Sequence, residues 1–132
     1  MAPAYSGSAI RNAIQAGVRC IEHGNLLDEA GAQAIKAAGA YLVPTMVTYE
    51  AISREGKNYG IGDHQIQKIN LALEKSIEGL THAYRAGSKI GSGSDLLGDM
   101  QAQRAMEFEL VGESTPSAIA KERSRSTARN WQ

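Results

Sequence analysis

Apolar positions along the chain follow two alternating rhythms. Helical stretches with apolar residues three or four apart run into Ala-Gly, and a short β-branched or apolar run comes after each. The unit recurs as IRNAIQAG before VRCIEHG, AGAQAIKAAG before AYLVPT, and GLTHAYRAG before SKIGSGSD. Gly17, Gly39 and Gly87 stand where these helices should end, since glycine closes a last turn in the left-handed conformation without a Cβ penalty. The run beyond each glycine has the length and composition of a strand buried on both faces. Asn25 or Asp28 can cap the second helix, and Asp28 and Glu29 suit the positive end of its dipole. The strand at 40–45 should stop at Pro44-Thr45. The longest helix opens with Asp63 as N-cap and repeats Ile66, Ile69, Leu73, Ile77, Leu80 and Tyr84 on one face. A fourth helical stretch spans about 101–111, with Met106, Phe108 and Leu110 as its larger apolar residues. Helices alternating with buried strands imply an α/β fold of parallel strands joined by crossovers. Three strands alone would leave both edges of the sheet unpaired.

Composition narrows the function classes. A length of 132 residues suits one domain and falls short of a complete (β/α)₈ barrel, which needs about 200–250 residues. With 14 basic and 14 acidic side chains the chain is formally neutral, which argues against a nucleic-acid partner. No segment approaches the ~18 apolar residues of a membrane span, so no membrane partner is expected. The single cysteine, Cys20, can close no intrachain disulfide, and a reducing, cytoplasmic setting is the expectation. Charge is nevertheless uneven. Lys121 and residues 122–132 hold four basic groups and one acid, leaving 10 basic against 13 acidic in residues 1–120. The division expected is a domain at 1–115 and a disordered basic tail at 116–132, rich in Ser and Arg and without apolar period.

In repeated βα architectures, functional residues collect where the strands end, because the βα loops converge there. The three strand ends read Glu22-His23-Gly24-Asn25, Pro44-Thr45 running on to Glu50, and Gly91-Ser92-Gly93-Ser94-Asp95. Histidine and aspartate are residue types used by metal sites, the imidazole as a nitrogen donor and the carboxylate as a ligand or proton acceptor. A hydrogen-bonded structural histidine and an Asx-turn aspartate explain His23 and Asp95 equally well from the residues alone. GSGSD lacks the spacing and the lysine of a nucleotide loop. His64 and His82 read as solvated or packed helix residues.

Taken together, residues 4–112, with IEHGN, the VPT strand and GSD in order, resemble the carboxyl-terminal half of the amidohydrolase superfamily, nearest to its imidazolonepropionase-like and Xaa-Pro dipeptidase-like members. That resemblance implies a partial (β/α)₈ TIM barrel, about strands six to eight with their helices, and hydrolysis of amide, lactam or dipeptide C–N bonds through metal-activated water. It implies that His23 is the strand-six metal ligand. It further implies that Asp95 is the strand-eight aspartate, a metal ligand and the catalytic proton shuttle. Thr45 to Glu50 would form a loop lining the pocket, and Tyr5 and Tyr49 are candidates for substrate binding. The cofactor implied is a divalent metal, zinc foremost, and the partner a small amide or dipeptide.

The sequence departs from that pattern at the strand-five position, where relatives carry His-Ala-Tyr-Ser and this chain reads Pro3-Ala4-Tyr5-Ser6. Proline offers no imidazole. Only two of the principal ligand positions are then visible, so the chain is expected to be the cut carboxyl-terminal part of a hydrolase, binding metal weakly or not at all and inactive by itself. Two alternatives stand beside it. One is a non-catalytic half-barrel module that self-associates through open sheet edges. The other is a small α/β domain holding an anion at GSGSD.

Overall fold

Four strands, rather than the three expected, form a single parallel sheet. A computed structural model describes residues 1–114; the tail predicted at 116–132 lies outside the described residues. The elements run β1 (Ala2–Ser6), α1 (Gly7–Gln15), β2 (Cys20–Leu26), α2 (Glu29–Ala37), β3 (Tyr41–Val43), α3 (Met46–Glu55), α4 (Asp63–Ala86), β4 (Lys89–Ile90) and α5 (Met106–Ser114). Short 3₁₀ turns at Gly56–Tyr59 and Gly98–Gln103 fill two of the connections. The strands lie in sequence order, β1-β2-β3-β4. The unexpected strand is β1. Its five residues contain Pro3 and show no apolar period, so only pairing with β2 makes them a strand, Ala2 opposite Ile21 and Ala4 opposite His23. Proline is tolerated there because β1 is an edge strand of this sheet.

The three glycine stops are confirmed. Gly17, Gly39 and Gly87 all take positive φ. After each, an amide reaches back five residues, Val18 to Ala13, Ala40 to Ile35 and Ser88 to Ala83, at 3.0, 3.0 and 2.9 Å. This is the Schellman closure, which satisfies orphan carbonyls and turns the chain into the next strand. Asp28, not Asn25, caps α2, its carboxylate accepting from the Gly31 amide at 2.6 Å.

Three further expectations are corrected. Residues 46–50 belong to helix α3 rather than to a loop. Asp63 is the first residue of α4 instead of its cap, and the Gln65 side chain accepts from the Gly62 amide ahead of it. The inward face of α4 is set by Ser76, Gly79, Leu80 and Ala83, while Ile77 is largely exposed. Small residues win on that face because α4 crosses close over β2: a Cβ on Gly79 would stand 3.1 Å from the Gly24 carbonyl oxygen. The helix is about 36 Å long at 1.5 Å per residue.

The core lies between the sheet and helices α1, α2 and α4, around Ile10, Ile21, Ile35, Leu42, Met46 and Leu80, all essentially inaccessible to water. A smaller cluster of Val47, Ala51 and Leu96 ties α3 to the segment after β4. In α5, two of the larger apolar residues, Met106 and Leu110, pack against the core clusters. Phe108 is exposed, whereas Glu107 and Val111, one helical turn apart, point inward.

Candidate active site

Strained backbone marks one end of the sheet. Among the described residues, the non-glycine positions with positive φ are His23 at 76°, Thr45 at 46° and Asp95 at 52°. His23 lies within β2, just past the end of its pairing with β3, whereas Thr45 comes two residues after β3 and Asp95 five residues after β4. Left-handed conformations cost non-glycine residues about 1–2 kcal/mol each, and surrounding contacts must hold them. For His23 those contacts are visible. Gly24 beside it is also left-handed, at 65°, so β2 kinks where its pairing with β3 ends at Glu22 opposite Val43. The imidazole then lies flat against the Tyr5 ring, centroids 4.9 Å apart and planes 3° from parallel. His23 Nδ1 is 2.9 Å from Thr45 Oγ1. Of the imidazole's two nitrogens, this bond engages one and leaves Nε2 for another partner.

Behind this pair runs a buried polar chain. Tyr49, on the first turns of α3, donates to Asn25 Oδ1 at 3.0 Å, and Asn25 Nδ2 donates to Ser76 Oγ at 2.6 Å. Ser76 Oγ in turn donates to the Ala72 carbonyl at 2.7 Å. Asn25 is 2% exposed, so these bonds replace water that cannot reach it. Burial, then the neighbourhood of Tyr5 and Asp95, push the Tyr49 hydroxyl up to about 12, which keeps it a proton donor at neutral pH. Asp95 lies exposed in the segment after β4, five residues beyond Ile90. Thr48 Oγ1 donates to the Ser94 carbonyl at 2.5 Å and pins that segment to α3.

The structure thus brings Tyr5, His23 and Tyr49 into one cluster, with Asp95 close enough to Tyr49 to bias its ionisation. Asp95 also borders a cavity of about 330 Å³ walled by Thr48, Ile52, Ile61, Leu96 and Met100, among others. His23 is not part of that wall. Asn25 and Glu107 were missed as site residues. Asn25 was legible as part of IEHGN, but its cap-like character pointed to α2. Glu107 gave no signal, being an acid in a polar-looking stretch.

A profile of the amidohydrolase family matches residues 2–123. The chain belongs to the amidohydrolase family. Several solved structures are similar to it. A prolidase complexed with N-methylphosphonate-L-proline is 42% identical with a TM-score of 0.85, covering 94% of this chain and 30% of its own. A structure described as an amidohydrolase is 39% identical, TM-score 0.83, with 92% of this chain and 30% of its own covered. Ochratoxinase from A. niger, at 22% identity and a TM-score of 0.77 over 96% of this chain and 29% of its own, shares the fold. The chain therefore spans about 30% of the length of the solved relatives. No curated protein matches it.

Members of this family generally use a divalent metal. The donors carried by the described residues do not complete such a site. The expected donors, His23 and Asp95, would be two at most, whereas catalytic zinc takes three protein ligands plus water. No group of three or more His, Cys, Asp or Glu side chains converges among the described residues. Pro3, opposite Glu22 in the sheet, is exposed and has no donor to offer. Cys20 is no substitute: its thiol donates to Glu22 at 3.0 Å, and burial followed by that bond pushes it up to about 12, far from a thiolate. No helix among the described residues is long and apolar enough to cross a membrane.

Proposed function

We propose that this chain forms the carboxyl-terminal part, about strands five to eight, of an amidohydrolase barrel that hydrolyses C–N bonds of a small amide, lactam or dipeptide in a reducing, cytoplasmic setting. The observation that carries the reading is the placement of His23, Thr45 and Asp95, each in a left-handed conformation, on successive parallel strands: His23 where β2 leaves its pairing with β3, and Thr45 and Asp95 in the segments that follow β3 and β4. In such folds that end is where loops converge on substrate. Support for the substrate class comes from the prolidase, at 42% identity.

In this assignment His23 and Asp95 contribute two of the donors of a divalent-metal site, zinc being suited to imidazole and carboxylate together. Asp95 has a second task. Its exposed carboxylate accepts a proton as water adds to the carbonyl carbon and returns it to the nitrogen as the C–N bond breaks. Tyr5, stacked on the imidazole, and Tyr49, beside Tyr5 and Asp95, contact the substrate. With only two donors, the 132-residue chain by itself has no hydrolase activity.

A chimera tests this directly. Residues 2–114 would replace the matching third of the prolidase, with Pro3 either kept or changed to His, and release of proline from an Xaa-Pro dipeptide would be measured. Hydrolysis is expected only with Pro3→His, and Asp95→Asn in that background should lower it by about 10²-fold or more. Metal-dependent turnover by the isolated chain, or a Pro3→His chimera indifferent to Asp95, would overturn the assignment. The outer edges of β1 and β4 favour a second reading, a self-associating module without catalysis. A concentration-dependent dimer of the isolated chain together with a dead Pro3→His chimera is what it expects.

A further inference from the structure

Helix α3 begins in an unusual way. Thr45 occupies its N-cap position, and threonine there ordinarily turns its hydroxyl onto the amide two or three residues on. Here Thr45 makes no side-chain cap. Its Oγ1 is spent on His23 Nδ1. The first amides of α3 are therefore without their local acceptor, and water cannot serve them, because Met46 and Val47 are fully buried.

The missing acceptor arrives from 60 residues away. Glu107 on α5, 1% exposed, places Oε2 2.7 Å from the Val47 amide, and the Met46 amide also bonds to this carboxyl. Its other oxygen, Oε1, has no hydrogen-bond partner among the described residues. A buried carboxyl group is costly, and no ion pair among the described residues accounts for this one. What it does is cap a helix whose own capping residue is occupied elsewhere.

We propose that Glu107 is a positioning residue: by capping α3 from outside, it frees Thr45 Oγ1 to hold the His23 imidazole. Without that carboxyl, the nearest replacement cap is Thr45 itself. As Thr45 relaxes from its left-handed φ of 46° to the extended conformation of an ordinary N-cap, its hydroxyl turns onto the α3 amides and His23 Nδ1 loses its partner. With Thr45 accepting, Nδ1 carries the proton and Nε2 keeps its lone pair; without Thr45, the two neutral tautomers become comparable. The consequence for catalysis rests on the donor role proposed for His23. The tautomer does not, so an inactive chimera leaves this inference standing.

The experiment is ring ¹⁵N spectroscopy of the full 132-residue chain at one alkaline pH, where imidazoles are neutral. His64 and His82, both on α4, are internal controls. Wild-type His23 should show a single tautomer. Glu107→Asp, one methylene too short to reach α3, and Glu107→Leu should each replace it with a mixture while His64 and His82 stay unchanged. Glu107→Gln, which keeps an acceptor oxygen at full length, should restore the single tautomer. Thr45→Val should give the same mixture, and adding Glu107→Asp to it should change nothing more, since both act on one bond. If Glu107→Leu fails to fold, the Asp and Gln variants decide. An unchanged His23 signal in folded Glu107→Asp, or equal changes at all three histidines, would overturn the proposal.

Discussion

Single residues at the strand ends carry costs that only their neighbours offset. Gly24 is the clearest: its φ of 65° is left-handed, and a Cβ there would meet Leu42 Cδ1 at 2.6 Å. Gly24→Ala should destabilise the chain by roughly 2 kcal/mol, read as a lower denaturant midpoint at unchanged slope. Tyr49→Phe removes the proton given to Asn25 Oδ1 and leaves that buried oxygen unpaired, so a loss of about 1–2 kcal/mol is expected by the same measurement. Glu107 sets a pH dependence. Burial raises its pKa from 4.5 to about 7 against the pull of the Val47 and Met46 amides. The folded state thus holds the proton more tightly than the unfolded state does. Its contribution to stability is fully present below pH 4.5 and is lost as pH rises through 7, by an amount on the order of 3 kcal/mol. Glu107→Gln should flatten that slope in melts taken from about pH 5 to about pH 8. His23 and Asp95 could be named from the sequence because their motifs survive intact. Glu107 could not, since nothing local distinguishes an acid that turns inward from one that faces water.

Helices and strands follow local rules wherever the chain turns on itself, and depart from them where distant segments meet. Asp28 combines two local roles, capping α2 at Gly31 and pairing with Arg11 of α1 at 2.8 Å. The Arg11 bond first, then the Gly31 amide, hold its carboxyl below the usual aspartate range. Asp28→Ala should cost about 1 kcal/mol through loss of the cap, measurable by thermal melting. In the native chain this contribution is present above the ordinary aspartate pKa and disappears as pH falls through the lowered one. The Arg11 pair adds little because both side chains are substantially exposed. Helix α4 shows the opposite case. Its leucines and isoleucines suggested one face, yet Ser76 and Gly79 turn inward because the strand beneath them presents Asn25 and a carbonyl at close range. Periodicity counts apolar side chains, and here the contact is made by small and polar ones.

For the molecule as a whole, the sheet is the feature that sets behaviour. Hydrogen exchange should separate its strands, with amides of β2 and β3 protected and those of β1 and the two-residue β4 exchanging far faster, because each outer strand is paired on one side only. Equal protection across all four strands would indicate a partner covering the edges. The sequence alone determined the α/β class and the three αβ junctions, because glycine stops and strand-length apolar runs are local features. It also pointed to the amidohydrolase family, whose profile covers residues 2–123. Tertiary structure decided the rest. It made a strand of Ala2–Ser6 by pairing and a helix of the segment after Thr45. It turned a glutamate inward to cap that helix and left Thr45 free to face a histidine. Those outcomes depend on which segments approach one another across roughly 20 to 60 residues of chain, and local propensity holds no record of such distances.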